Sequence, residues 1–376
     1  MEKTRRISTD IPSGEIAAFP HIRVLACFCI ILLHALFASN VYFEETMTGG
    51  EVLWSKAMEN ELMWAVPCFL MITGALLLDP ARKLPLKKLF GKYLRRIVLA
   101  LVCFTLIFQI LGWRMEGEPN IVKGCLQDLA FGESWAHMWY LYLMIGLYLM
   151  MPFYKMIADK AVTFGADAKA GQAETLAEAD GQPCCDTRLL DLLILILLVF
   201  TSLVPMAEVF GISIGFYIPT TLVYPAYLFM GYRLHNKPWH PGLAAVLLVV
   251  CTAGLLGLTW LRYGTGVLAD MEADPANQLD TLTGYASILV IFQTAGLFCL
   301  LERIKTPAGR ALRSMDQCSF GIYLIHMIGI HLIMKWMGFD PYMYGPFTFI
   351  LMAAALFLAS WPVTWVIRKI PKLNLL

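Results

Sequence analysis

Two ionisable side chains stand where an apolar helix should hold none. Arg23 and His34 lie at the two ends of the run Arg-Val-Leu-Ala-Cys-Phe-Cys-Ile-Ile-Leu-Leu-His. Eleven residues of α-helix turn back to within about 20° of the starting direction and rise about 16.5 Å. The pair therefore shares one face, with the guanidinium at one mouth and the imidazole about half a hydrocarbon thickness away. Titratable groups at membrane depth are costly, which makes them functional candidates. An imidazole can take a proton or carry a transferred group near neutral pH. The face suits a channel that takes an anionic ligand at the Arg23 end and presents its reactive end to His34. Plainer readings stand beside this one: an arginine that snorkels as a topology anchor, and a histidine hydrogen-bonded within a bundle.

A second constellation lies further along. Ser319, Tyr323 and His326 are spaced +4 and +3, on one helix face. His326 falls about 13 Å into its helix and His34 about 18 Å into its own, so both can line one cavity. His331, turned by about 140° from His326, reads as separate. The basic stretch from Lys87 to Arg96 contains Lys92, Arg95 and Arg96. It fits either anchoring against anionic lipid or a phosphate site built on planar arginine forks. Pro67 predicts a kink, and Thr73-Gly74 predicts close helix packing. His137-Met138-Trp139-Tyr140 fits an interfacial aromatic belt or a sugar-stacking surface.

These groups need helices to hold them. The 376 residues are 59% hydrophobic and 15% charged, with mean hydropathy +0.65. A soluble domain carries about 45–50% apolar and about 25% charged residues. The composition therefore excludes a disordered chain and argues against a soluble enzyme. The net charge of +1 gives no bias toward nucleic acid. The fold expected is all-α: one polytopic bundle of about ten spans, at roughly 22–42, 60–79, 97–113, 137–153, 189–209, 217–234, 242–261, 282–301, 317–336 and 346–367. With the N-terminus inside, inner loops hold 23 Lys and Arg and outer loops five, Arg23 sitting at the span edge. That bias predicts cytoplasmic termini at both ends. Residues 158–187, rich in Ala, Asp, Glu and Gly, read as a flexible cytoplasmic insertion. Residues 1–20 do not read as a signal peptide. Most of the ten cysteines fall in or beside apolar runs, where a thiol acts as a small hydrophobe. No Cys, His and Asp spacing suggests a metal site.

The motifs together resemble acyltransferase family 3, polytopic membrane acyltransferases that modify bacterial surface sugars and related acceptors. That family is marked by a basic residue, ten residues and a His in the first span, matched by Arg23 and His34. Val66-Pro67-Cys68-Phe69-Leu70-Met71-Ile72-Thr73-Gly74 is similar to its second-span pattern. His137-Met138-Trp139-Tyr140-Leu141, Tyr227-Leu228-Phe229-Met230-Gly231 and Ser319-Phe320-Gly321-Ile322-Tyr323-Leu324-Ile325-His326 resemble three more. The family's Arg-x-x-Arg departs here to Lys92-x-x-Arg95, with Arg96 adjacent. The resemblance implies transfer of an acyl group, most often acetyl, from cytosolic acetyl-CoA to a hydroxyl or amine of a surface glycan or lipid-linked sugar in a bacterial inner membrane. His34 would be general base or transient acyl carrier. Arg23, Lys92, Arg95 and Arg96 would hold coenzyme A phosphates. Ser319, Tyr323 or His326 would polarise the thioester or orient His34, with Thr73 and Trp139 in support. Glu59 and Glu61 would tune His34 or bind acceptor hydroxyls, against simple interfacial solvation. The rival readings are a proton-coupled transporter or flippase with a central histidine, and a non-enzymatic sensor or assembly protein.

Overall fold

A computed structural model describes residues 16–80, 82–117, 120–173, 187–212, 214–215, 219–265, 267–268 and 279–370. Among them every regular element is helical. The principal helices are α1 (Ala18–Tyr42), α2 (Gly49–Leu62), α3 (Ala65–Leu77), α4 (Arg95–Glu116), α5 (Ile121–Phe131), α6 (Trp139–Ala173), α7 (Arg188–Leu198), α8 (Val223–Asn236), α9 (Pro241–Thr259), α10 (Ile288–Leu301), α11 (Arg310–Ile330) and α12 (Phe347–Lys369). An all-α polytopic bundle is what the apolar runs dictate, because a helix satisfies its own backbone in hydrocarbon.

Among the described residues, eight segments are long and apolar enough to cross a bilayer. The expected sixth and eighth spans differ from the rest. They appear as α8 and α10, each of 14 residues, about 21 Å long against a hydrocarbon core of about 30 Å. Ten of the fourteen residues of α8 are buried, in an unbroken run from Pro225 to Tyr232, as expected where a helix is apolar on every side. The second segment starts earlier than its apolar run. α2 begins at Gly49 behind a capping box, in which the Thr48 hydroxyl accepts from the Glu51 amide (3.3 Å) and the Glu51 carboxylate accepts from the Thr48 amide (2.7 Å). Glu59 and Asn60 dilute the hydropathy there, yet both are buried and paired. Lys56 donates to Glu59 at 3.0 Å, and Asn60 donates to the Thr259 hydroxyl at 2.8 Å. The helix through the fourth span runs on to Ala173, so the segment expected as a loop begins helical. Residues 174–186 lie outside the described residues, Cys184 and Cys185 with them. The eight cysteines that are described are all unpaired thiols.

Burial sorts the helices into layers. The α1 and α2–α3 segments are 61% and 72% buried, whereas the segments holding α4, α7 and α9 are 22–28% buried. On α4, Val98, Val102, Leu106 and Ile110 form an exposed stripe at four-residue spacing, a surface suited to lipid. At the centre α3 and α8 touch through their backbones. A Cβ on Gly74 would lie 1.9 Å from the Leu228 carbonyl oxygen, and one on Gly231 would lie 2.1 Å from that of Met71. Small residues at such a crossing let helices approach.

Gly74→Ala and Gly231→Ala are each expected to destabilise the protein by about 1–3 kcal/mol or more through overpacking against rigid backbone, read as a lower melting temperature in detergent. A second prediction concerns the pair joining α8 to α10. The His235 ring lies 2.7 Å from the Glu302 carboxylate, and that hydrogen bond raises the His235 pKa above its ordinary value despite partial burial. A raised histidine pKa gives stability present below the unfolded value and lost as pH rises through the folded one. The melting-temperature advantage of wild type over His235→Gln should therefore shrink from pH 6 toward pH 9.

Candidate active site

α1 and α11 lie side by side and run in the same direction. Four polar contacts between α1 and the α11 segment rise in step along both helices. Arg23 Nη1 donates to both carboxylate oxygens of Asp316 at 3.1 Å. The Cys27 thiol donates to the Ser319 carbonyl at 3.6 Å. His34 Nδ1 lies 2.8 Å from His326 Nε2. The Tyr42 hydroxyl meets His331 Nδ1 at 3.0 Å, just past the end of α11. Each contact removes a polar group from hydrocarbon, where leaving it unpaired is costly.

The central contact fixes the protons. His326 Nδ1 lies 3.3 Å from the Ile322 carbonyl oxygen, which can only accept. A neutral His326 bonded there carries its proton on Nδ1 and leaves Nε2 as an acceptor. His34 must then donate through its own Nδ1, so its Nε2 keeps a free lone pair. This tautomer is assigned from the hydrogen-bond network. It is the arrangement a general base or nucleophile needs: one nitrogen held by an orienting partner and the other available. His326 is fully buried and His34 half-buried.

A cavity of about 410 Å³ opens at the Arg23 end of the bundle. Arg23, Arg82 and Arg96 share its wall with α1 residues Cys27 and Ile30, and Tyr140 and Tyr323 also line it. The cavity thus follows the Arg23–Cys27–Ile30 face of α1 and reaches Ile30, one turn short of His34. The Tyr323 ring stands beside the imidazole, with centroids 6.3 Å apart, and its hydroxyl donates to the His137 carbonyl. Arg96 packs over the Phe320 ring at 5.1 Å.

The structure brings together Arg23, Arg96, Thr73, Ser319 and Tyr323 on the cavity wall, with His34 and His326 just beyond. The Arg23 guanidinium pairs with Asp316, and its side chain is 25% exposed. Lys92 and Arg95 are exposed and lie outside the wall. The π-helical turn Leu89–Leu94 precedes Arg95. Of the two adjacent arginines, Arg96 is the one aimed inward. Trp139 packs with Tyr224 and Tyr285 rather than with the histidines. Glu59 accepts from Asn40 and Lys56, and Glu61 accepts from Gln293 at 2.8 Å. None of those bonds reaches His34.

Three participants escape the sequence reading. Asp316 lies three residues before Ser319, so it extends the face shared by Ser319, Tyr323 and His326; that continuation is its signal. Arg82 sits in a loop with no pattern to mark it. His137 brings its ring within 6.1 Å of His34 and 5.6 Å of His326, centroid to centroid. Nothing in the linear sequence links its ring to the other two imidazoles. Among the described residues, no His, Cys, Asp and Glu group is arranged to hold a metal ion.

A helical membrane bundle with an arginine-mouthed cavity leading toward paired imidazoles defines the class: a multi-pass membrane protein with an enzyme-like internal site. Residues 16–369 match the family described as an acyltransferase domain. The chain belongs to that family, acyltransferase family 3, and is a membrane acyltransferase in the general sense. No curated protein and no solved structure matches it.

The half-buried Arg23–Asp316 pair links the two helices that carry His34 and His326. A double-mutant cycle with Arg23→Gln and Asp316→Asn is expected to return a coupling of about 1–2 kcal/mol, above the range of surface pairs and below that of fully buried ones, measured by thermal or denaturant unfolding.

Proposed function

We propose that the protein moves an acetyl group from cytosolic acetyl-CoA to a hydroxyl or amine of a cell-surface glycan or its lipid-linked precursor in a bacterial inner membrane. In this reading the arginine end and both termini face the cytosol. One observation carries it: the cavity climbs the Arg23 face of α1 and stops a turn below an imidazole whose Nδ1 is held by His326. Coenzyme A is polyanionic, and Arg23, Arg82 and Arg96 supply forked donors for its phosphates. The wall beyond them is mostly apolar, suited to an uncharged arm ending in the thioester.

His34 Nε2 acts as general base. It takes the proton of the acceptor hydroxyl as the oxygen attacks the thioester carbon. When the tetrahedral intermediate collapses, the C–S bond breaks and the departing thiolate receives that proton from His34. Acyl thioester and alcohol become ester and thiol with no net proton change. The proton travels from the acceptor to the donor through the ring that stands between them. His326, itself held by the Ile322 carbonyl, keeps the His34 lone pair in place and shares the charge that forms.

The test is acetyl transfer from labelled acetyl-CoA into the glycan fraction of membranes. His34→Ala should lose transfer by about 10²–10⁴-fold, the range for removing a general base. Near-normal transfer by a well-folded His34→Ala protein would refute the assignment.

A further inference from the structure

His137 sits in a short 3₁₀ turn, Ala136–Met138, at the start of α6. Its side chain is 1% exposed. Neither ring nitrogen makes a hydrogen bond of normal geometry. The backbone of Leu324 approaches the ring without meeting hydrogen-bond geometry, so the one N–H of the neutral ring is free to donate in either tautomer. Both nitrogens of this buried imidazole are therefore left without a partner; single atoms of other buried side chains, Ser202 and Thr364 among them, share that state, but His137 has its ring beside the imidazole pair. An orphaned group of this kind in a native structure calls for an explanation.

Its surroundings supply one. The ring stands steeply across those of His34 and His326, at interplanar angles of 68° and 75° and centroid separations of 6.1 and 5.6 Å. Tyr323 holds the His137 backbone carbonyl. The Phe108 ring lies 5.4 Å from that of His137 and is itself stacked on Trp135 at 4.1 Å. The imidazole is thus fixed by its neighbours through its backbone and its apolar contacts, while its hydrogen-bonding capacity stays unspent. Pre-positioned, unspent donors beside a base are how enzymes stabilise charge that develops only in the transition state.

We propose that His137 is a second catalytic histidine, which donates a ring N–H to the oxyanion formed from the thioester carbonyl. This rests on the acyl-transfer reading and assigns it a residue whose motif fits an interfacial aromatic belt or a sugar-stacking surface. As the acceptor oxygen bonds to the carbonyl carbon, the π electrons move onto the carbonyl oxygen, which accepts from His137. When the C–S bond breaks, the carbonyl re-forms, the thiolate leaves with the proton from His34, and His137 keeps its own proton throughout. The division of labour is clear-cut: His34 moves a proton, and His137 only donates a hydrogen bond.

The experiment compares His137→Leu, His137→Asn and His137→Gln with wild type in membranes supplied with labelled acetyl-CoA. His137→Leu should lower kcat by about 10²–10³-fold, the usual loss for one oxyanion donor, with KM for acetyl-CoA changed less than about threefold. One of the two amide variants should recover at least about tenfold of that loss, because it restores a neutral N–H donor. The residual activity should keep the wild-type pH profile, since the titrating base is His34. Melting temperatures separate catalysis from structure: replacing an unpartnered polar ring by leucine should leave stability unchanged or raised. A stable His137→Leu protein with kcat within tenfold of wild type overturns the proposal. So does a kcat loss that tracks a lowered melting temperature and that neither amide recovers. Absence of transfer by the wild-type protein overturns the underlying acyl-transfer reading as well.

Discussion

The register between α1 and α11 is the constraint on which the site depends. Hydrocarbon offers no water to satisfy a stranded guanidinium, thiol or imidazole, so each such group on α1 must find its partner on a neighbouring element. Arg23, Cys27, His34 and Tyr42 do so on Asp316, Ser319, His326 and His331. A slip of one residue along either helix rotates its face by about 100° and shifts it by about 1.5 Å, which breaks all four contacts together. The imidazole pair is thus placed by the sum of the ladder rather than by its own bond alone, whose net worth is only about 1 kcal/mol. Function inherits its geometry from the cost of burying polarity.

The other wall of the cavity follows from a second close contact. Consecutive residues Thr73 and Gly74 point to different sides of α3. Thr73, with Val66, Phe69, Ile72 and Leu76, lines the cavity, and the Thr73 hydroxyl is satisfied within the helix by the Phe69 carbonyl at 2.8 Å. Gly74 faces the other way, into the backbone of α8. One short helix therefore carries a tight seam on one side and an open space on the other. The seam holds α3 against α8, which is buried almost all round, and the cavity persists because the wall behind it has little freedom to collapse. Lys155 adds a tie at the same end, donating to the carbonyl of Asp79 just past α3.

What the sequence reveals divides along these lines. Apolar length and helical spacing are local properties, so the bundle and the shared faces of Arg23 with His34, and of Ser319 with Tyr323 and His326, are legible without coordinates. The family follows from the same pieces. Where one apolar run ends is harder to read: α2 begins eleven residues before the span expected from hydropathy, because its charged residues are neutralised by partners distant in the chain or hidden in the helix itself. Which of Arg95 and Arg96 turns inward depends on the π-helical turn before them, since one extra residue in a turn swings the following face. Asp316 was within reach, on the face already singled out. His137 was not. Its meeting with His34 and His326 is made by three separate elements, and periodicity within one helix says nothing about that.

Charge and chemistry are kept apart along α1, and the separation has a physical basis. Phosphates brought to mid-membrane would lose hydration that no set of arginines there fully replaces. At the mouth, forked donors and partial solvent access make the same contacts cheap. Asp316 offsets part of the arginine charge without lining the cavity, so the guanidinium of Arg23 is held in position while Arg82 and Arg96 leave the mouth positive. Deeper in, Cys27 and Ile30 present thiol and hydrocarbon, a lining that passes an uncharged chain and resists a charged one. The two imidazoles lie beyond that stretch, set apart from Arg23 by about three helical turns. A base near cationic side chains would hold its proton less readily and respond to every change in the mouth. In the acyl-transfer reading proposed above, His34 takes its setting from its own neighbours, His326 and His137, and the arginines are left to select the ligand.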